Sequence, residues 1–167
     1  MRMKFFSSLV AALSLGASFA VAEPKHGIAM YGDPGLPPDF VSRPYVNPDA
    51  PKGGEVSISA QGNFDSFNNY TRKGVSASSI GLMSENLMTS SADDPYGLYC
   101  YLCTTVEYPE SLDWIVVNLR DDVTFSDGTP VTADDYKFTV ELFLEQGITE
   151  FRNVVQTYYQ AVEVIDD

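Results

Sequence analysis

The sequence predicts an α/β protein. Apolar and polar residues alternate over residues 55–60 and 114–119, as they do in half-buried strands. Over residues 133–147 the apolar side chains recur instead at the spacing of an amphipathic helix. Because both patterns occur along one chain, we expect a sheet with flanking helices.

The N-terminus has the three zones of a secretory signal peptide. Arg2 and Lys4 precede an apolar stretch over residues 5–19, and the small residues Ala20 and Ala22 close the segment. This order predicts cleavage before Glu23. An uncleaved membrane anchor is the alternative, but serines and a glycine interrupt the apolar stretch, whereas a span needs roughly 20 predominantly apolar residues. The residue directly after the predicted cleavage site is Glu23 and not cysteine, so no lipid anchor is indicated, and we expect no transmembrane segment in the mature chain.

The chain is strongly acidic. Its formal net charge is −13, and removal of Arg2 and Lys4 leaves 8 of the 10 basic residues against all 23 acidic ones. Such a surface repels the phosphate backbone of nucleic acids, which lysine and arginine normally contact. We therefore expect no nucleic-acid partner and interpret the acidity as a source of solubility.

Residues 23–54 predict an N-terminal arm. Proline and glycine recur throughout this segment, and prolines remove backbone donors and disfavour helix in the residues before them. We expect an extended covering segment outside the folded core, anchored by its aromatic residues Tyr31, Phe40 and Tyr45. A flexible linker is the alternative. The core, residues 55–167, is expected to begin with the strand at Glu55.

The sequence predicts three further elements, one helix and two strands. Residues 76–88 have Ile80, Met83 and Leu87 at helical spacing, which predicts a helix with one face in the core. Residues 114–119 are expected to form a strand covered on both faces. Residues 159–165 predict a last strand that runs directly into the end of the chain, which is typical of a fragment, although a terminal edge strand is the alternative.

Residues 125–147 carry the best-defined local signal. Asp127-Gly128 predicts a turn. Thr132 can then cap a helix whose third residue, Asp135, completes a capping box. Gly147 is expected to end this helix.

The two cysteines, Cys100 and Cys103, have the spacing of a redox pair and can form a disulfide in an oxidising compartment. A redox centre would need the pair at the start of a helix, which the sequence does not indicate, so a structural disulfide or two buried thiols are favoured. The single histidine, His26, lies in the arm, so we expect no metal site and no cofactor.

An enzyme is the minority interpretation. The acidic pairs of the sequence fall at predicted turns, at a helix start or at the terminus, where carboxylates cap helices and aid solubility. The chain also lacks a Gly-Xaa-Ser-Xaa-Gly elbow.

The candidate substrate-binding segment follows the predicted strand at 55–60. It combines aromatic rings with amide side chains, a mixture that suits a peptide cleft with apolar walls and a few polar groups. A surface turn closed by Asp65 and Asn68 is the alternative. The candidate residues are Phe64, Asp65, Ser66, Phe67, Asn68, Asn69 and Tyr70.

The run LRDDVTFSDGTPVTADD at residues 119–135 resembles the signature of family 5 of the extracellular solute-binding proteins. The segments HGIAMYGDP at 26–34 and PYVNPDAPKGG at 44–54 are similar to the start of its oligopeptide and microcin C importer subgroup. Two departures are Asn69, where the family usually has proline, and the YCYLC run at 99–103, where it commonly has Ala-Glu.

This resemblance implies a fold and a function. It implies part of the larger lobe of a two-lobe, class II-like periplasmic binding protein, with a mixed sheet, and therefore an N-terminal fragment. The implied function is the capture of peptides or peptide-like compounds in the periplasm for an ABC importer, with permease subunits of the inner membrane as partners, a monomeric state and no catalysis. The alternatives left open are a small secreted redox protein or hydrolase, and an inactive truncated product.

Overall fold

The computed structural model describes residues 22–70 and 73–165. The predicted signal peptide, up to Val21, lies outside the described residues. The fold is α/β, as predicted, and no helix within these ranges is long and apolar enough to cross a membrane. In chain order the elements are β1 Gly27–Ala29, a 3-10 helix Ile80–Met83, β2 Met88–Ser91, β3 Asp94–Cys100, β4 Cys103–Glu107, β5 Val116–Leu119, α1 Ala133–Gln146 and α2 Thr149–Tyr158.

The first sheet has three strands in the order β1-β3-β2, and both pairings are antiparallel. The arm supplies β1, with Gly27 opposite Tyr99. A side chain at Gly27 would begin 2.5 Å from the carbonyl oxygen of Leu98, so glycine is required for this close approach. The expectation that the arm stays outside the folded core is therefore wrong.

The buried centre of the molecule surrounds Tyr99 of β3, whose side chain is 1% exposed. Leu36 of the arm lies in the same core as Cys103 and Val106 of β4. These four residues come from the arm and from residues 99–106, so the described core is small and depends on the arm.

The aromatic residues of the arm contact the first sheet. Phe40 packs edge-on against Tyr99, with 5.4 Å between ring centroids, and Tyr31 packs in the same way on Tyr96. The hydroxyl group of Tyr45 accepts a hydrogen bond from the backbone of Ala92. These contacts confirm that the aromatic residues anchor the arm. The boundary between the arm and the next domain, placed after Gly54, stays a prediction.

The second sheet pairs β4 with β5 antiparallel. The strand predicted at 114–119 is present but begins at Val116, and Trp114 and Ile115 are about half exposed before it. The two residues between β3 and β4 are held against the residue before β2, because the N–H groups of Tyr101 and Leu102 both donate to the carbonyl oxygen of Leu87.

All pairings between named strands are antiparallel, whereas the expected sheet was mixed. The described part of the chain shows parallel pairing at the isolated bridge between Ser66 and Ser76.

The predicted capping box of α1 is confirmed. The Thr132 hydroxyl oxygen accepts a hydrogen bond from the N–H of Asp135 at 3.3 Å, and the Asp135 carboxylate accepts one from the N–H of Thr132 at 2.9 Å. The hydroxyl group of Thr132 also donates to this carboxylate, and these bonds lower the pKa of Asp135 below 3.8. The helix ends before Gly147, whose N–H donates to the carbonyl oxygen of Phe143.

Three predicted elements are wrong. Residues 55–60 form no strand, are fully on the surface and pair with no described segment, so the core does not begin at Glu55. Residues 76–88 form only the short 3-10 helix instead of a long helix, since Ser79 adopts a left-handed backbone with φ 63°. Residues 159–165 form no strand, and the helix α2 that precedes them was not predicted.

Candidate binding cleft

The segment 64–70 forms a compact turn that is held by its own polar side chains. The Asp65 carboxylate accepts a hydrogen bond from the N–H of Val75 at 2.6 Å, and the carbonyl oxygen of Ser66 accepts one from Ala77. Gly74 has φ 87°, and a side chain there would begin 2.6 Å from the Asp65 carboxylate. Only glycine therefore suits this position.

Asn68 closes the second half of the turn. Its side-chain oxygen accepts a hydrogen bond from the N–H of Tyr70 at 2.8 Å, which is the geometry of an Asx turn. Its N–H donates to the Ser66 hydroxyl group, and its carbonyl oxygen accepts from the Ser76 hydroxyl group at 3.1 Å. The backbone is therefore the surface turn closed by Asp65 and Asn68 that was the alternative interpretation of this segment.

The turn presents its aromatic rings outwards. Phe64 and Phe67 pack on each other with 5.3 Å between centroids, and Phe67 is 70% exposed. Tyr70 packs on Phe143 of α1 at 5.0 Å, and Phe143 in turn meets Phe151 of α2 edge-on. An aromatic ladder therefore connects the turn to both helices.

An open cleft of about 520 Å³ lies between this turn and the 3-10 helix. Of the seven predicted residues, the last four line the cleft, while Phe64, Asp65 and Ser66 do not. The lining residues are Phe67, Asn68, Asn69, Tyr70, Ile80, Met83 and Ser84. The turn thus forms one wall of the cleft. The segment can therefore be both a surface turn and part of a binding site.

The second wall was not predicted as a binding surface. Ile80 and Met83 were assigned to the core face of a helix, but Met83 is 82% exposed on the 3-10 turn. The available signal was the density of serine and glycine over residues 76–81, because these residues disfavour a long helix.

The described lining of the cleft is neutral and largely apolar. Every described lining residue is uncharged, and the wall combines aromatic and thioether surfaces with two amide side chains. Among the described residues, no group of three histidine, cysteine or acidic side chains is arranged to hold a metal ion. Apolar area with a few polar groups is the usual composition of a small-ligand site.

A second concavity of about 600 Å³ lies between the arm and β4. Its cationic group, Lys25, lies 3.8 Å from the Asp33 carboxylate and over the ring of Tyr108. The ring of His26 hydrogen-bonds the carbonyl oxygen of Leu36 at 2.7 Å. These groups hold the arm in place, which favours a structural interpretation of this concavity.

Cys100 and Cys103 are joined in a disulfide. The pair connects the end of β3 to the start of β4, and Cys103 is 3% exposed. Reactive pairs lie instead at the N-terminus of a helix, where the thiolate is stabilised. This position favours the structural disulfide over the redox centre.

Residues 98–167 match the family described as "Bacterial extracellular solute-binding proteins, family 5 Middle". The chain belongs to family 5 of the bacterial extracellular solute-binding proteins. The matched part of this family 5 chain includes the disulfide, the second sheet and both helices, whereas the 64–70 turn precedes it. The importer subgroup suggested by the arm stays a prediction.

Curated relatives of this family 5 chain come from several bacteria. It is 42% identical over 147 residues to "Peptidoglycan-binding protein YepA" of Agrobacterium fabrum, covering 83% of this chain and 24% of that protein. It is 32% identical over 145 residues to "Uncharacterized protein YejA" of Escherichia coli, covering 87% of this chain and 24% of that protein. It is 35% identical over 117 residues to "Probable peptide-binding protein YejA" of Agrobacterium fabrum, covering 70% and 19%. The chain thus spans about a quarter or less of the length of these relatives.

Proposed function

We propose that this chain forms part of the periplasmic substrate-binding component of an ABC importer and that its cleft between residues 67–70 and 80–84 contacts a peptide ligand. The observation that carries the proposal is the exposed, uncharged cleft beside a turn that is locked by internal hydrogen bonds. A rigid wall of this kind binds without a large loss of conformational entropy. The family supports a substrate-binding role, and the names of two relatives suggest peptides and peptidoglycan as ligand classes.

The chain supplies one wall, and we expect it to bind peptides weakly by itself. Ligand pockets commonly bury roughly 70 to 90% of the surface of a small ligand, and an open cleft buries much less. The partners of the complete importer are proposed to be its inner-membrane permease subunits, and the binding protein is proposed to act as a monomer in the periplasm.

Photo-crosslinking tests this proposal because it records weak contacts. The chain from Glu23 onwards is irradiated with short peptides that carry a benzoylphenylalanine, one with a free amino terminus and one taken from a peptidoglycan stem. Peptide mapping should place the crosslinks on residues 67–70 and 80–84. Crosslinks spread over the whole surface, or concentrated at the concavity beside Lys25, would contradict the proposal.

Two neighbouring residues provide a matched pair of variants. Met83 lines the cleft and is 82% exposed, whereas Leu82 is 86% exposed and does not line it. Met83→Ser should reduce the crosslinking yield, and Leu82→Ser should leave it unchanged. The alternative of a secreted redox protein predicts a different result, namely insulin reduction that depends on Cys100.

A further inference from the structure

We infer that the cleft selects an uncharged, apolar peptide side chain and that Asn69 hydrogen-bonds the main chain beside it. This inference rests on the proposed function and adds the chemical class of ligand. The inference is based on two differences between the cleft residues, namely how exposed they are and which hydrogen bonds they already form.

None of the described residues that line the cleft offers a counter-ion to a charged ligand group. Its described lining residues are all neutral. The nearest carboxylates in sequence are engaged elsewhere, because Asp65 accepts a hydrogen bond from Val75 and Glu85 accepts one from the Tyr101 hydroxyl group. A lysine side chain entering the cleft would lose water without gaining one of these carboxylates as a partner, and no described lining residue carries a positive charge to pair with an aspartate. The overall charge of −13 adds a long-range repulsion against acidic ligands.

The apolar surface of the cleft is large and exposed. Phe67 is 70% exposed, Met83 is 82% exposed and Tyr70 is 51% exposed. Aromatic rings and a flexible thioether adapt to apolar side chains of different shapes. A leucine or phenylalanine side chain that covers these residues removes apolar area of both partners from water, which favours binding.

The two adjacent amides have separate roles. The side chain of Asn68 is engaged by the N–H of Tyr70, so it maintains the turn. The side chain of Asn69 faces the 3-10 helix. Its Nδ2 atom lies 3.9 Å from the position that a Cβ atom at Gly81 would occupy. No described residue forms a hydrogen bond with this side chain. An amide has both a donor and an acceptor, which match the C=O and N–H of a peptide group. Asn69 is therefore a polar group that is available to orient a peptide main chain.

The test is an NMR titration of the chain from Glu23 onwards with four blocked tripeptides, acetyl-Gly-Xaa-Gly-amide, in which Xaa is Leu, Phe, Asp or Lys. The Leu and Phe peptides should shift the amide signals of residues 67–70 and 80–84 with dissociation constants about tenfold lower than the Asp and Lys peptides. Asn69→Ala should weaken binding of all four peptides by a similar factor, about three- to tenfold, because it removes a contact to their common main chain.

The variants separate the inference from the proposed function. Met83→Ser should reduce the preference for Leu over Asp, with Leu82→Ser as its matched control, and unchanged signals outside the cleft show that each variant is folded. Equal or tighter binding of the Asp or Lys peptide, or unchanged binding by Asn69→Ala, would overturn the inference while leaving the cleft as a peptide site. If none of the peptides shifts the cleft signals, the proposed function fails as well.

Discussion

The hydroxyl group of Tyr99 accepts a hydrogen bond from the backbone N–H of Leu36 at 2.9 Å, across 63 residues of sequence. Both residues are buried. The same hydroxyl group donates to the Asp94 carboxylate, which also accepts the N–H of Gly35 at 3.1 Å. One tyrosine and one carboxylate thus satisfy two successive backbone groups of the arm.

Replacement of Tyr99 by phenylalanine should destabilise the protein by about 2 kcal/mol, because the buried N–H of Leu36 would lose its acceptor. Urea unfolding followed by circular dichroism measures this change. Tyr96→Phe is the matched control, since Tyr96 lies on the same strand, is 59% exposed and keeps its ring contact with Tyr31. Equal stability of the two variants would show that the Tyr99 hydroxyl group does not hold the arm.

The Asp94 carboxylate should make stability depend on acid. Its hydrogen bond from Tyr99, and then that from Gly35, lower the pKa of Asp94 below 3.8 in the folded state. The stabilisation is therefore present above about pH 4 and is lost as the pH falls through the folded pKa. The difference in unfolding free energy between the natural protein and Asp94→Asn should shrink between about pH 6 and about pH 3.

The same comparison in a Tyr99→Phe protein tests whether the pH dependence of stability arises from the hydrogen bond between Tyr99 and Asp94. In a Tyr99→Phe protein the main cause of the lowered Asp94 pKa is absent. The acid dependence of the Asp94→Asn difference should then be smaller. A dependence of the same size in both backgrounds would assign it to another group.

Thr132→Ala should destabilise α1 by about 1 kcal/mol, because the helix loses the acceptor for the N–H of Asp135. Thr139→Ala on the same helix is the control. Thr139 donates from its hydroxyl group to the carbonyl oxygen of Asp135, a bond that adds little to helix stability, while alanine is the better helix former. Helix content during urea unfolding measures both variants, and a larger loss in Thr139→Ala would contradict the capping argument.

Reduction of the disulfide between Cys100 and Cys103 should lower the unfolding free energy by about 2 kcal/mol, as expected for a loop of four residues. Urea unfolding with and without a phosphine reductant measures this change. A Cys100→Ser, Cys103→Ser double variant is the control, because its stability should not respond to the reductant. No response in the natural protein would mean that the disulfide does not stabilise the junction of the two sheets.

Export should remove residues 1–22. The zones around Arg2, Lys4 and Ala22 predict cleavage before Glu23. The intact mass of protein recovered from the periplasm measures the processing site. Protein that stays in the inner membrane with Met1 to Ala22 attached would contradict this prediction.

Elements that depend on contacts between neighbouring residues could be predicted from the sequence, whereas elements that depend on contacts between distant residues could not. The capping box of α1 lies within four consecutive residues, so the pattern at Thr132 and Asp135 was sufficient to predict it. The strand β1 has its partner in β3, about 70 residues later, and nothing in the local pattern of Gly27–Ala29 indicates that pairing. Residues 55–60 show the reverse, since they alternate like a strand but have no described partner.

One wall of the cleft could be predicted from local sequence and the other could not. Aromatic and amide residues between Phe67 and Tyr70 gave a local signal for binding. Ile80 and Met83 have helical spacing, and this spacing alone placed them in a core. The left-handed backbone of Ser79 ends any long helix there, and no periodicity rule anticipates such a residue.

The arm also sets the order of events during synthesis. The N–H and C=O groups of Lys25 both pair with Val106, and the carbonyl oxygen of Gly27 accepts a hydrogen bond from Tyr108, 81 residues later. A ribosome must therefore complete both β3 and β4 before the backbone groups of Lys25 and of β1 can form their strand pairings. Contacts of this sequence separation slow folding, because a long loop must close before they form. The backbone of the nascent arm therefore lacks these partners until Tyr108 has been synthesised.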